Sequence, residues 1–287
     1  MSRVEPSLGL VVVAYQSEAY LGDFFRSLEE SEITPAHVVV VDNSPSDPIS
    51  PESSQLPPVT TIHRPDNPGY GSAANVGVQS LPDTCEWIVV CNPDIILDSR
   101  ALKTLLEWGQ RHPEAGLLGP AIRNIDGSLY PSARALPTIG IGIGHALFSL
   151  AWSSNPWTRA YRGDYESSES RAVGWLSGAF LMIRRTTWDT VGGFDEGYFM
   201  FFEDVDLGWR IGDAGYRNLY VPDASATHLG GQSTQLHPAE MIQAHHSSAM
   251  RFISKRYPGR LWWAMRHLIN LGLTIRERLL RARAVAD

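Results

Sequence analysis

At 287 residues the chain is long enough for one large α/β domain whose core needs no disulfide or metal staple. Its 43% hydrophobic and 19% charged content exclude a disordered chain. The net charge of −7 conceals an asymmetry: residues 251–287 hold nine Lys or Arg against two acids, and an acidic body with a basic tail speaks against a nucleic-acid partner.

Residues 8–14 (LGLVVVA) are a continuous β-branched run without the basic flank or cleavage site of a signal peptide, and predict a strand buried on both faces. Ser17 is placed to cap a helix in which Leu21, Phe24, Phe25 and Leu28 recur at helical spacing. Residues 37–41 (HVVVV) predict a second buried strand that runs into the turn cluster Asp42-Asn43-Ser44-Pro45, and the Ser- and Pro-rich residues 44–58 read as an exposed loop. A short strand over 60–63, the glycine-bearing NPGYGSAANVG leading into a helix over 72–81, and a third central strand over 86–91 follow. Asp98 or Ser99 is positioned to cap a helix carrying Leu102, Leu105, Leu106 and Trp108 that stops before Pro113.

Residues 116–170 have weak periodicity and many turn formers, so no order is assigned there; the low-charge run 139–152 is too short and too broken by glycine to span a membrane. Beyond it, 179–183 read as a strand, 192–195 as a turn, 203–214 as a helix with acids in its first turn and Gly215 at its end, and 218–221 as the last strand. This alternation predicts a mostly parallel central sheet flanked by helices, with residues 1–237 as one domain and 238–287 as a basic, amphipathic helical region. Cys85 and Cys91 flank one apolar run, which suits packing in a reducing compartment and a cytoplasmic location.

Ligands of such sheets bind beyond the carboxyl ends of the strands, which is where Asp42 and Asp94 fall. Neither G-x-G-x-x-G nor G-x-x-x-x-G-K-[ST] is present, so dinucleotide redox chemistry and P-loop hydrolysis are demoted. A different set is present in order over about residues 8–233: VVVAYQS, VVVVDNS, NPGYGSAAN, a strand ending NPD, GWLSGAFLMIRR, GGFDEGYFMFFEDVDLGWR and THLGGQS. Together these resemble the inverting family 2 glycosyltransferases of the GT-A fold, and within them the bacterial rhamnosyltransferases of cell-wall and O-antigen type.

The resemblance implies transfer of a sugar from a nucleotide diphosphate to an acceptor hydroxyl with the help of Mg²⁺ or Mn²⁺. Asp94 is the expected metal ligand, at a place where the family carries D-x-D; the first acid is replaced here by Asn92, which can offer a carbonyl or hold the sugar or ribose. His228 matches a second protein ligand, and Asp204 matches the base that takes the acceptor's proton. Glu203 and Asp206 are expected to hold the acceptor or neighbouring groups, and acids crowded at one helix start raise a carboxylate's pKa. For the donor, Asp42 can accept the N3–H of a pyrimidine ring, Tyr15 can pack beside that ring, Ala14 can offer backbone contacts, and Gly71 with Asn75 lies where the family's second loop approaches. Trp175 in GWLSG is expected on the acceptor side. The competing reading of each is structural: a strand-ending turn, acids balancing a helix dipole, or an aromatic in the core.

The tail mixes arginines with Trp262, Trp263, Leu268, Ile269, Leu271 and Leu273, as an interfacial helix does; a helix packed on the body with a solvated basic face is the alternative. On the membrane reading the protein is peripheral at the inner face of the cell membrane and its acceptor is a lipid-linked saccharide. The resemblance implies a polyprenyl diphosphate bearing N-acetylglucosamine as acceptor and dTDP-L-rhamnose as donor. Galactofuranosyl, glucosyl or mannosyl transfer, or a non-catalytic nucleotide-sugar-binding module, are the rival readings.

Overall fold

The computed structural model describes residues 7–45, 49, 56–138, 169–230 and 238–286. Strand β1 (Leu8–Ala14) lies between β2 (His37–Asp42) and β4 (Trp87–Cys91), parallel to both, and β3 (Val59–His63) continues the parallel sheet beyond β2. Five more strands belong to this sheet: β5 (Ile95–Leu97), β6 (Ala115–Asn124), β8 (Arg171–Val173), β10 (Phe180–Arg184) and β11 (Arg217–His228). The order is β3-β2-β1-β4-β10-β6-β11-β5, with β8 paired to the start of β11; β10 is antiparallel to both neighbours and β11 is parallel to β6. A separate two-stranded ribbon joins β7 (Ala133–Arg134) to β9 (Trp175–Leu176).

Side chains of β1 alternate between two cores, as the two-residue period of a strand requires. Leu10 and Val12 face a layer with Phe24, Phe25 and Leu28 of α1 (Glu18–Glu29) and Leu102 and Leu105 of α3 (Ala101–Arg111). Val11 and Val13 face the other layer, with Ala73 and Ala74 of α2 (Tyr70–Gln79), Trp188 of α4 (Arg185–Val191), and Leu207 and Ile211 of α5 (Glu203–Asp213). Each large apolar side chain enclosed this way contributes about 1.5–3 kcal/mol. Cys85 and Cys91 are both free and buried in these layers.

Two local expectations change. Ser17 begins α1 but donates its hydroxyl backwards to the Tyr15 carbonyl at 2.8 Å instead of capping the helix. The N-cap of α3 is Arg100, with no side-chain cap, because the Asp98 carboxylate is turned to the Ser225 hydroxyl. The unassigned middle contains β6, a central strand whose first eight residues are all buried. Its Pro120 cannot donate to a ladder, and β11 answers with a register shift between Val221 and Ser225 beside it. The low-charge run 139–152 lies outside the described residues, as do most of the 44–58 loop and the end of THLGGQS.

Past the sheet, α6 (Pro238–Arg256) packs Phe252 against Tyr198 and Val205 of the body, and α7 (Trp263–Ala286) follows a short 3₁₀ turn over Arg260–Trp262. Among the described residues no helix is long and apolar enough to cross a membrane.

Candidate active site

Three chain segments meet at the carboxyl edge of the sheet. Ala14 and Asp42 end β1 and β2 side by side, and the Asn43 amide donates to the Ala14 carbonyl at 2.8 Å. Asp42 is wholly buried, and its two oxygens accept the amides of Ser44 (2.9 Å) and Ile49 (3.1 Å). The carboxylate therefore orders its own loop, and the pyrimidine contact expected of it has to compete with both amides. Ser44 in turn accepts the Gln16 amide at 2.7 Å, which ties the β1 and β2 loops together beside the half-buried Tyr15.

After β4, Asn92 donates its amide to the Ala179 carbonyl at 3.0 Å and the chain turns into β5. Antiparallel pairing of β5 with the end of β11 sets Ile95 opposite His228, and the Leu229 amide closes the corner on the Asp94 carbonyl at 2.9 Å. As a result His228 Nε2 stands 3.2 Å from Asp94 Oδ2, with the Tyr130 ring edge-on to the imidazole. Asp94 Oδ1 and His228 Nε2 are buried and have no hydrogen-bond partner. Buried polar atoms without partners are costly and call for a ligand. A carboxylate and an imidazole are acceptable donors to Mg²⁺ or Mn²⁺, so this pair fits such an ion. Among the described residues no third His, Cys, Asp or Glu joins them.

Asp204 sits in the first turn of α5. Its Oδ2 accepts the Gly178 amide at 3.0 Å and its Oδ1 the Val205 amide at 2.8 Å, so the carboxylate is oriented by backbone on two sides. Burial holds its pKa above the usual carboxylate range, against the two amides and the charge of Arg134. The neighbouring Glu203 is buried, has no partner for Oε2, and is raised by desolvation and then by the charge of Asp204. A carboxyl shifted towards neutral pH suits a group that must gain a proton during the reaction.

The loop before this helix is bent in an uncommon way. Phe201 (φ 66°) and Phe202 (φ 65°) are consecutive left-handed residues, a conformation costing about 1–3 kcal/mol each for a side chain of this size. On one side the Phe199 carbonyl accepts the Tyr70 amide at 3.1 Å. Only glycine is tolerated at position 69, whose φ is 93° and where a Cβ would stand 2.1 Å from the Phe199 oxygen.

Several residues expected to touch substrate are occupied elsewhere. Asp206 is fully buried and ion-paired to Arg210 (2.6 Å) and Lys255 (2.8 Å), so it anchors α6 and has no capacity left for an acceptor. Asn75 exchanges hydrogen bonds with the Phe194 amide and carbonyl, both at 2.9 Å, and bonds Glu196. Gly71 permits Phe194 to approach, since a Cβ there would lie 2.9 Å from the Phe194 Cβ. Both brace the 192–196 turn against α2. Trp175 donates its indole N–H to the Ala135 carbonyl at 3.1 Å and lies 5.5 Å from the Arg134 guanidinium, so its edge is spent and its ring partly covered.

Two residues at the site, Tyr70 and Arg134, were not legible as such, and Gly178 was read only as part of the acceptor-side GWLSG turn. Tyr70 donates its hydroxyl to the Gly178 carbonyl at 2.5 Å, Gly178 supplies the amide for Asp204, and Arg134 faces that carboxylate. The GWLSG turn was the signal for Gly178; Arg134 falls in the aperiodic middle and had none.

Among the described residues the sheet is mixed, with four parallel and four antiparallel pairings, and the Asp94–His228 pair and the helix-start Asp204 lie at one edge of it. The model described as "Glycosyltransferase like family 2" matches residues 6–245. The chain is 39% identical over 285 residues to an N-acetylglucosaminyl-diphospho-decaprenol L-rhamnosyltransferase of Mycobacterium tuberculosis, covering 95% of this chain and 92% of that one. It is 27% identical over 194 residues to rhamnosyltransferase WbbL of Escherichia coli, over 66% of this chain and 71% of the relative. In fold it is similar to GalNAc-T7, solved with UDP, GalNAc and Mn²⁺, at a TM-score of 0.57 and 14% identity, over 80% of this chain and 45% of that one. The chain belongs to glycosyltransferase family 2 and is an enzyme of that family.

Proposed function

We propose that the protein transfers L-rhamnose from dTDP-L-rhamnose, with inversion, to the N-acetylglucosamine of a polyprenyl-diphosphate-linked saccharide. The observation that carries the chemistry is the amide-oriented Asp204 at the same sheet edge as the buried Asp94–His228 pair, each of which keeps one atom without a hydrogen bond. The choice of sugar and acceptor is supported by the relative's name, at 39% identity over nearly the whole chain.

In this reading the acceptor hydroxyl attacks the anomeric carbon as the bond to the diphosphate oxygen breaks, and Asp204 takes the hydroxyl proton. The Gly178 and Val205 amides keep the Asp204 oxygens directed before and after the proton arrives. Asp94 and His228 would hold a divalent cation, which supplies charge neutralisation to the departing dTDP. Asn92 is assigned to the sugar or ribose, while Tyr15 and Ala14 line the base of the nucleotide.

The lipid-linked acceptor places the reaction at the inner face of a membrane. Leu261, Trp263, Leu268, Leu271 and Ile275, all exposed along the tail, support docking there beside Arg256, Arg260 and Arg266. Incubation with radiolabelled dTDP-L-rhamnose, Mg²⁺ or Mn²⁺ and membrane lipid extract is expected to put label into an organic-extractable lipid. Label that moves only from another pyrimidine nucleotide sugar would replace rhamnose; transfer from none would overturn the reading.

A further inference from the structure

Phe201 and Phe202 take left-handed backbone without glycine immediately before Glu203 and Asp204, so contacts outside the loop must hold them. Those contacts come from α6. His245 packs edge-on against both rings, with centroids 5.5 Å from Phe201 and 5.4 Å from Phe202. Ser248 Oγ donates to the Met200 carbonyl at 2.8 Å. Phe252, buried, lies 5.7 Å from Phe202 and 6.1 Å from Trp209 on α5. Lys255 spans the loop's two flanks by pairing with Asp195 at 2.7 Å and Asp206 at 2.8 Å.

Phe202 is also the N-cap residue of α5, and its carbonyl accepts the Asp206 amide at 2.8 Å. Rotation of Phe201 or Phe202 to negative φ would therefore redirect the first turn of α5, on which Asp204 meets the Gly178 amide. Ser248, Phe252 and Lys255 all lie beyond residue 245, where the family match ends.

We propose that α6 is a positioning element of the catalytic centre: His245, Ser248 and Phe252 hold Phe201 and Phe202 left-handed and so aim Asp204 at the acceptor. This rests on the reading of Asp204 as the base. A helix that only added stability would, when weakened, lower melting temperature and donor binding together. A positioning helix lowers kcat and leaves the donor KM in place, because the donor's pyrimidine and metal contacts are on other strands.

The test compares steady-state turnover of full-length variants on dTDP-L-rhamnose and polyprenyl-diphosphate N-acetylglucosamine, with melting temperature measured on each. Ser248→Ala and His245→Leu are each expected to lower kcat about tenfold with donor KM unchanged, alongside the modest loss of melting temperature that one buried contact costs. Ser248→Thr, which keeps the hydroxyl, is expected to behave as wild type. Asp204→Asn is run alongside and should bind donor without turnover. If Asp204→Asn turns over, the base assignment falls and the proposal with it. If Asp204→Asn is inactive but Ser248→Ala and His245→Leu stay within about twofold of wild-type kcat, or lose kcat only together with donor binding, the positioning role alone is overturned.

Discussion

Asp94 Oδ2 and His228 Nε2 lie 3.2 Å apart because the last residue of β11 is paired in register with the first residue of β5. Neither side chain could reach the other along the sequence; the sheet edge makes the pair, and burial leaves one atom of each without a hydrogen bond.

His228→Ala removes one of two protein donors to the proposed cation. The Mn²⁺ concentration needed for half-maximal transfer is expected to rise by roughly ten- to a hundredfold, the scale on which metal sites respond to lost support. The same titration read as a thermal shift with dTDP present should move in parallel; an unchanged Mn²⁺ profile would separate His228 from the metal.

The attachment of α6 should loosen in acid. Burial raises the Asp195 carboxyl, but hydrogen bonds from Lys255, Gly197 and Arg251 more than offset it and hold the group well below its usual range. A carboxylate depressed in the folded state adds stability above its unfolded pKa and loses it as pH falls towards the folded one. Asp195→Asn is therefore expected to cost about 1–3 kcal/mol at pH 7 in urea unfolding and measurably less near pH 3, where the unfolded carboxyl is largely protonated but the folded one is not. An equal cost at both pH values would show that the charge is not what matters.

Glu203 has the opposite sign. Its pKa is raised by burial and by Asp204, so its protonated form is favoured by folding and stability falls as pH rises past the ordinary carboxylate range. Glu203→Gln, which mimics the protonated group, should melt higher than wild type at pH 9 and show little difference at pH 5. A variant that melts lower at pH 9 would mean that Glu203 is charged and satisfied in the folded protein.

For the tail, co-sedimentation with vesicles containing anionic phosphatidylglycerol is expected, and Leu268→Asp with Leu271→Asp should abolish it. These side chains are 70% and 58% exposed, so the double substitution leaves the folded body undisturbed. Binding that survives the substitutions, or that ignores vesicle charge, would assign the surface to something other than an anionic bilayer.

Much of the fold was legible because the central strands are continuous apolar runs. β1, β2 and β4 each read as strands from valine and isoleucine alone, and α1, α3 and α5 from the spacing of their buried residues. Strand β6 was hidden by Gly116, Gly119 and Pro120, which read locally as turn formers. In the folded chain they are accommodated by close neighbours and by a shift in the partner strand.

The sequence by itself determined the class of fold, the family and the short roster of acids at strand ends and helix starts, since these follow from local hydrophobic runs and motif order. Tertiary structure decided which partners each acid meets. Asp204 and Asp206 are two residues apart on one helix, so they face different directions. One meets the Gly178 amide at the sheet edge and the other is taken up by Lys255 from α6. Asp94 gained His228, and Asp42 and Asn75 were absorbed by backbone around them, because a polar group's function is set by which partners the fold leaves open to it.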